Sequence, residues 1–294
     1  MMTYRAHCFA ILSLAYLIQL PCIQACNQWE FIQDLQAQKV LKKTLTNDKL
    51  QIDSVQSLQM DRMQIRSLKG FDRLTGLQEL SISHNFIENV TPLGVLKNLQ
   101  RIDASYNRIK NPLPLACIPQ LEILILSYNN IKHTFGCIFH NLRQLDLSHN
   151  QIEQLLMVRG HNDLLEFLDV SDNPLTSIQL ASTGIPSLNT LLANNTFIKD
   201  LTPLIQCQEL ETLELQHCCN LSSIAPLFVK RGEQYECRLK RLKKLSFSVE
   251  FLDAQSKQMV REIQEGNITQ PITLNGELIR QSSKKASEPS PIRL

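Results

Sequence analysis

The chain is 294 residues long, 43% hydrophobic but only 6% aromatic, with a formal net charge of +2. Leucine and isoleucine must supply most of its core, so thin repeated layers of aliphatic side chains are expected. Nine glycines and a 20% charged fraction exclude collagen-like and bulk-disordered chains, and the near-neutral balance argues against nucleic acid as a partner.

Residues 1–25 read as an export signal. Arg5 is the only charged residue before Glu30, the run Phe9 to Ile18 is apolar, Pro21 breaks it, and Ile23-Gln24-Ala25 offers a small residue for cleavage. The run is shorter than the roughly 20 residues of a membrane span. The expectation is a secreted chain with no membrane span. A lipid-modified Cys26 is the weaker alternative, because Gln24 is a poor match to a bacterial lipoprotein signal. Four N-x-S/T sequons fit the secretory route and mark Asn89, Asn194, Asn220 and Asn267 as glycosylation candidates.

Residues 26–54, with Trp29, Phe31, Ile32, Val40 and Leu41, can supply an N-terminal cap. From residue 55 to 252 the pattern L-x-x-L-x-L-x-x-N-x-I recurs. Clean copies begin at Leu77, Leu99, Leu121, Leu142 and Leu165, with Asn85, Asn107, Asn129, Asn150 and Asn173 at position 9. The copies from Leu188 and Leu210 place Thr196 and Cys218 in that slot, and degraded copies begin at Val55 and Leu242. Successive starts from Val55 to Leu210 are 21 to 23 residues apart, giving about eight or nine repeats. Apolar residues at positions 4 and 6 point one side of a short strand inward, and such strands bury that side only by stacking about 4.8 Å apart in a parallel sheet. The position 9 amide can satisfy buried backbone groups of adjacent turns, and Thr196 and Cys218 should weaken that ladder toward the C-terminus.

This pattern resembles the leucine-rich repeat family, in the 22-residue class of internalins and phosphatase-regulatory repeat proteins. The resemblance implies an α/β-type solenoid with a curved parallel sheet on the concave side and short 3₁₀ turns on the convex side. Extracellular members often carry a disulfide-bonded cluster of four cysteines in the N-terminal cap, and this chain departs from that, with Cys26 alone there. Leu252, Met259, Val260 and Ile263 read as an amphipathic capping helix within 253–275, and residues 276–294 lack periodicity and are expected to be a disordered tail.

Removing Cys8 and Cys22 with the signal leaves seven cysteines, an odd number that implies a free thiol or an intermolecular disulfide. Cys117 and Cys137 fall at neighbouring convex positions and can pair. Cys207, Cys219 and Cys237 compete for one C-terminal staple, and Cys26 is a further candidate for a disulfide. No metal site, cofactor or catalytic centre is expected. His84, His149 and His217 share position 8 but sit in non-adjacent copies about 14 Å or more apart, and the chain has no H-E-x-x-H, G-x-S-x-G or phosphate-binding glycine loop. The basic residues between Lys230 and Lys244 form either a solvated loop or a patch for sulfated glycans.

Positions 2, 3, 5, 7 and 8 are expected on the open concave face. There Tyr106, Tyr128, Ile123 and Ile125 form an aromatic and aliphatic patch, rimmed by Asp103, Asp146, Asp169 and Asp172, with His84 and His149 beside it. Exposed aromatics inside a charged rim have the composition of a protein-binding hot spot. A glycan on Asn194 would cover the concave surface of the seventh copy, whereas one on Asn89 would leave it free. The expected function is non-catalytic recognition of an extracellular protein partner, similar to that of the secreted leucine-rich-repeat immune proteins of insects such as the mosquito family that stabilises complement-like proteins. Long C-terminal coiled coils of that family have no counterpart here. The alternative is a matrix or adhesion component binding proteoglycan or a cell-surface receptor.

Overall fold

A computed structural model describes residues 32–34, 36–39, 54–134, 139–157, 162–180 and 185–281. The expected export signal, Cys26, Cys137 and most of the expected N-terminal cap lie outside them.

Eleven strands form one sheet. Ten come in chain order as β1 (Ser57–Gln59), β2 (Glu79–Ser81), β3 (Arg101–Asp103), β4 (Ile123–Ile125), β5 (Gln144–Asp146), β7 (Phe167–Asp169), β9 (Thr190–Leu192), β10 (Thr212–Leu215), β13 (Lys244–Phe247) and β14 (Ile272–Leu274), and all these neighbours run parallel. The last strand, β15 (Glu277–Ile279), turns back antiparallel on β14. The register brings every position 4 residue into line: Leu58, Leu80, Ile102, Leu124, Leu145, Leu168, Leu191, Leu213 and Leu245, ending on Leu274. All of them are buried. A single strand of three residues has no stability of its own, so burial of this aliphatic row against the next layer is what holds each turn in place. The architecture is therefore the leucine-rich-repeat solenoid implied by the sequence.

The convex side differs in part from the expected run of 3₁₀ turns. Such turns do occur at Thr91–Val95, Leu113–Cys117, Thr202–Gln206 and Ala225–Leu227, each started by a proline at its first or second position. Proline fits there because its fixed φ suits the turn and its missing N–H would have had no partner. Gly94 lets two of these turns touch, since a Cβ on it would lie 2.6 Å from the Pro114 carbonyl oxygen. Between them, however, β6 (Gln154–Met157) and β8 (Ser177–Leu180) pair as a short parallel sheet, burying Leu155 and Ile178.

The ends also differ from expectation. Asp34 accepts from the Arg66 and Ser67 N–H groups at 2.9 and 3.3 Å, and Ile32 and Ala37 are fully buried, so the described part of the N-terminal segment does dock on the first repeat. At the other end, α1 (Ala254–Gln264) is the expected helix, N-capped by Asp253 and burying Met259, Val260 and Ile263. The sheet nevertheless continues past residue 252, and an unstructured tail from residue 276 is corrected: residues 277–279 form the edge strand because Leu274 extends the position 4 row and Ile279 is buried.

Candidate functional site

The asparagine ladder sets the rim of the concave face. Asn129 donates from Nδ2 to the carbonyls of Ala104, Leu126 and Ser127 at 3.0 to 3.3 Å, and its Oδ1 accepts from Ile109 N–H at 2.9 Å. Asn85, Asn107, Asn150 and Asn173 repeat this arrangement. The Thr196 hydroxyl bonds Ala193 O and, at 3.2 Å, the Cys218 thiol, which also bonds Ala193 O at 3.2 Å. Burial pushes the Cys218 thiol up from its ordinary pKa, so it stays protonated and neutral. The expected weakening of the ladder is present.

Each residue before the ladder, at position 8, has a left-handed backbone. Arg62, His84, Tyr106, Tyr128, His149, Asp172, Asn195 and His217 all have φ between 52° and 58°. This conformation costs a bulky L-residue about 1–2 kcal/mol, and asparagine, aspartate and histidine tolerate it best. From Arg62 to Asn195 it aims the position 8 N–H at the position 7 carbonyl of the next repeat, as in Tyr106 N to Ser127 O at 2.9 Å, whereas His217 N donates to the Ser248 hydroxyl at 2.8 Å. Side chains in this row are thereby stacked. His84, Tyr106, Tyr128 and His149 form one continuous ring ladder with centroids 4.1, 4.1 and 3.9 Å apart and interplanar angles of 10 to 15°. Both tyrosines remain about 40% exposed. His149 Nε2 then contacts Asp172 at 3.3 Å, and Asp172 accepts from Asn195. The Tyr106 hydroxyl is the main cause holding the Tyr128 phenol above its usual pKa, with desolvation and the charges of Asp172 and Asp146 adding to it.

Next to the ladder lies the strand face. Ile123 and Ile125 are half-buried there, as expected, and register places Phe167 and Leu192 in the same two rows. Phe167 was missed by the sequence reading; reading position 3 down the array would have found it. Position 7 is corrected: Ser83, Ser105, Ser127, Ser148 and Ser171 are buried, not displayed. Some of these serines hold the acids. Asp103 accepts from Ser105 N and Oγ at 3.0 and 2.7 Å, Asp146 from Ser148 N and Oγ at 2.9 and 2.7 Å, and Asp169 from Ser171 N at 2.9 Å. Desolvation raises the Asp169 pKa despite the Ser171 bonds, and the Asp146 charge adds to the rise.

The sequons are unequal. Asn89 and Asn220 are exposed and Asn267 is half-buried. Asn194 uses its side chain internally, accepting from Gln216 N at 2.8 Å and donating from Nδ2 to Glu214 at 3.3 Å. The Asn194 amide nitrogen, unlike that of the exposed sequons, is engaged within the fold. The proposed C-terminal staple is also corrected. Cys207 and Cys237 are fully buried free thiols in the aliphatic core, with pKa values raised by desolvation (Cys237 to about 11), and Cys219 is exposed and unbridged. Cys117 is exposed and free, and its expected partner Cys137 lies outside the described residues.

The basic run is exposed but largely ion-paired. Residues 228–237 fold as the hairpin of β11 (Phe228–Arg231) and β12 (Gln234–Cys237). Six of its basic side chains make ion pairs: Lys230 with Glu262, Arg231 and Lys240 with Glu236, Arg241 with Glu209, Lys243 with Glu211, and Lys244 with Glu214. Among the described residues no group of three or more His, Cys, Asp or Glu is placed to hold a metal ion, and no helix is long and apolar enough to cross a membrane.

Comparison with known proteins agrees with this architecture. Profiles described as "Leucine Rich repeats (2 copies)" and "Leucine Rich Repeat" match residues 163–206 and 141–158. Comparison with curated proteins finds no match. Among solved structures the chain is similar to internalin C2 of Listeria monocytogenes, with 23% identity, 72% of this chain and 92% of that one covered, and a TM-score of 0.61. It is also similar to a chain of the mosquito LRIM1/APL1C complex, at 21% identity and a TM-score of 0.54, covering 79% of this chain and 43% of that one. A third is the ectodomain of the Arabidopsis thaliana receptor kinase GASSHO1/SCHENGEN3, bound to CASPARIAN STRIP INTEGRITY FACTOR 2, at 16% identity and a TM-score of 0.51, covering 73% of this chain and 29% of that one. At these identities the likeness concerns the fold.

Proposed function

We propose that the chain is a secreted, non-catalytic recognition protein of innate immunity that binds an extracellular protein through the concave face of its second to sixth repeats. One observation carries this reading. Tyr106 and Tyr128 occupy backbone positions where asparagine would be more comfortable, yet they are held 40% exposed in a continuous ring ladder beside Ile123 and Ile125. Stability alone does not account for bulky, water-facing aromatics at a left-handed backbone, whereas a binding surface does. Glycans on Asn89 and Asn220 are compatible with this, since both side chains point to solvent. A structure bound to a named factor among the similar folds, and a neighbour solved as a two-protein complex, support a binding role. The proteoglycan alternative draws less support, because acidic neighbours already engage most of the basic run.

The test is capture of the partner from the native extracellular fluid by the whole chain, followed by affinity measurement with the pair Tyr106→Asn and Tyr128→Asn. Asparagine suits the local backbone, so the double variant should melt no lower than the parent while losing more than tenfold in affinity. Unchanged affinity in that variant, with loss on substitutions in the C-terminal repeats, would refute the reading.

A further inference from the structure

The concave face carries a charge pattern that the described residues do not neutralise. In the position 5 row the register runs Asp103, Ile125, Asp146, Asp169, Leu192. Asp146 and Asp169 are thus direct cross-strand neighbours of like charge, an arrangement that disfavours folding. Serine N–H and hydroxyl groups hold both carboxylates half-buried and aligned. Among the described residues, Asp103, Asp146 and Asp169 have no lysine or arginine within ion-pairing distance, although nine ion pairs form elsewhere. Two strands beyond Asp169 in the same row, Glu214 does have its cation, Lys244 at 2.5 Å. What sets Asp146 and Asp169 apart is that they are direct cross-strand neighbours without a cation between them.

We infer that this part of the sheet receives a cationic, extended segment of the protein partner, laid across the strands with a lysine or arginine between Asp146 and Asp169. The inference rests on the recognition role proposed above and specifies the chemistry of what is recognised. Geometry fixes the neighbours of that cation. With strands about 4.8 Å apart, Ile125 and Leu192 each lie about 7 Å from the midpoint of the two carboxylates. Alternate side chains on one face of an extended chain are also about 7 Å apart. An apolar residue two places before the cation therefore meets Ile125, and another two places after it meets Leu192. Ile123 and Phe167, in the parallel position 3 row, widen the apolar floor on which these side chains rest. Complementary charge supplies specificity and steering, and apolar contact on both sides shields the pair from water.

Selection of a displayed library of random nonapeptides on the immobilised whole chain tests this, run in parallel on the double variant Asp146→Asn and Asp169→Asn. Asparagine keeps an oxygen to accept the serine bonds, and the melting temperature of the variant verifies that it folds. The expected winners carry a lysine or arginine with an apolar residue two positions away on both sides, and their enrichment falls at least tenfold on the variant. Winners without a basic residue, winners enriched equally on both proteins, or no enrichment on the parent would each overturn the inference. If that happens while the tyrosine double variant still loses the captured partner, the recognition role stands and only the partner chemistry is wrong. If the tyrosine variant also keeps its affinity, both fall.

Discussion

Repeats two to six and the repeats that follow them share one backbone but treat their polar groups in opposite ways. In the central repeats five asparagines bond across successive turns, while the position 5 acids Asp103, Asp146 and Asp169 have no lysine or arginine partner among the described residues. In the C-terminal repeats the hidden ladder thins to a hydroxyl and a thiol, while the displayed acids Glu209, Glu211 and Glu214 are each met by a cation from the segment 241–244. A region that stabilises itself internally can leave its surface charge unpaired. One that lacks the ladder gains what little exposed ion pairs offer and offers a partner less.

The largest expected effect breaks the central ladder. Asn129→Ala removes donors to three carbonyls and the acceptor of Ile109 N–H, and should cost about 3 kcal/mol in chemical denaturation, from orphaned buried groups. Thr196→Ala removes one buried hydroxyl bond and should cost about 1 kcal/mol. Equal losses at the two sites would erase the distinction between the regions. Rebuilding the ladder is the converse experiment, and Thr196→Asn with Cys218→Asn should gain about 1 kcal/mol.

A smaller effect separates binding from stability. Burial first, and the Asp146 charge after it, raise the Asp169 pKa. The folded protein therefore holds that proton more tightly than the unfolded chain, so this group penalises folding at neutral pH and the penalty fades as pH falls through its folded pKa. Asp169→Asn should raise stability at neutral pH by about 0.5 kcal/mol and flatten its rise toward acid. A destabilised variant would mean that the acid serves the fold, not a partner.

The smallest effect concerns the C-terminal hairpin. Lys230, then Gln258 and Tyr235, hold the Glu262 carboxyl down at about 2. Its contribution is present above the ordinary glutamate pKa and is lost as pH falls from about 4 toward 2. Amide exchange in 228–237 should quicken over that window in the parent and show no such step in Glu262→Gln.

Most of the solenoid was legible in the sequence because its period repeats the same burial requirement in every copy: Leu80, Ile102 and Leu124 are interchangeable answers to one question. The Asn slot was equally plain, down to its replacement by Thr196 and Cys218. Features used once were not. β14 and β15 lie beyond the last recognisable copy and are held by the Leu245–Leu274 register and the burial of Ile279, for which no period exists. The C-terminal staple failed because composition counts thiols without saying which are walled off in the core, as Cys207 and Cys237 are. At the site, residue identities along the rows were readable, but the left-handed backbone that stacks His84, Tyr106, Tyr128 and His149 follows from three-dimensional bonds between turns.

Photo-crosslinking tests the central claim most directly. A benzophenone amino acid is placed at Tyr128 in one protein and at His217 in another, both position 8 residues with the same backbone, and each is irradiated in the native extracellular fluid. A discrete adduct with one protein from position 128, and none from position 217, is the expected result. An adduct from position 217 alone, or none from either, would contradict the account.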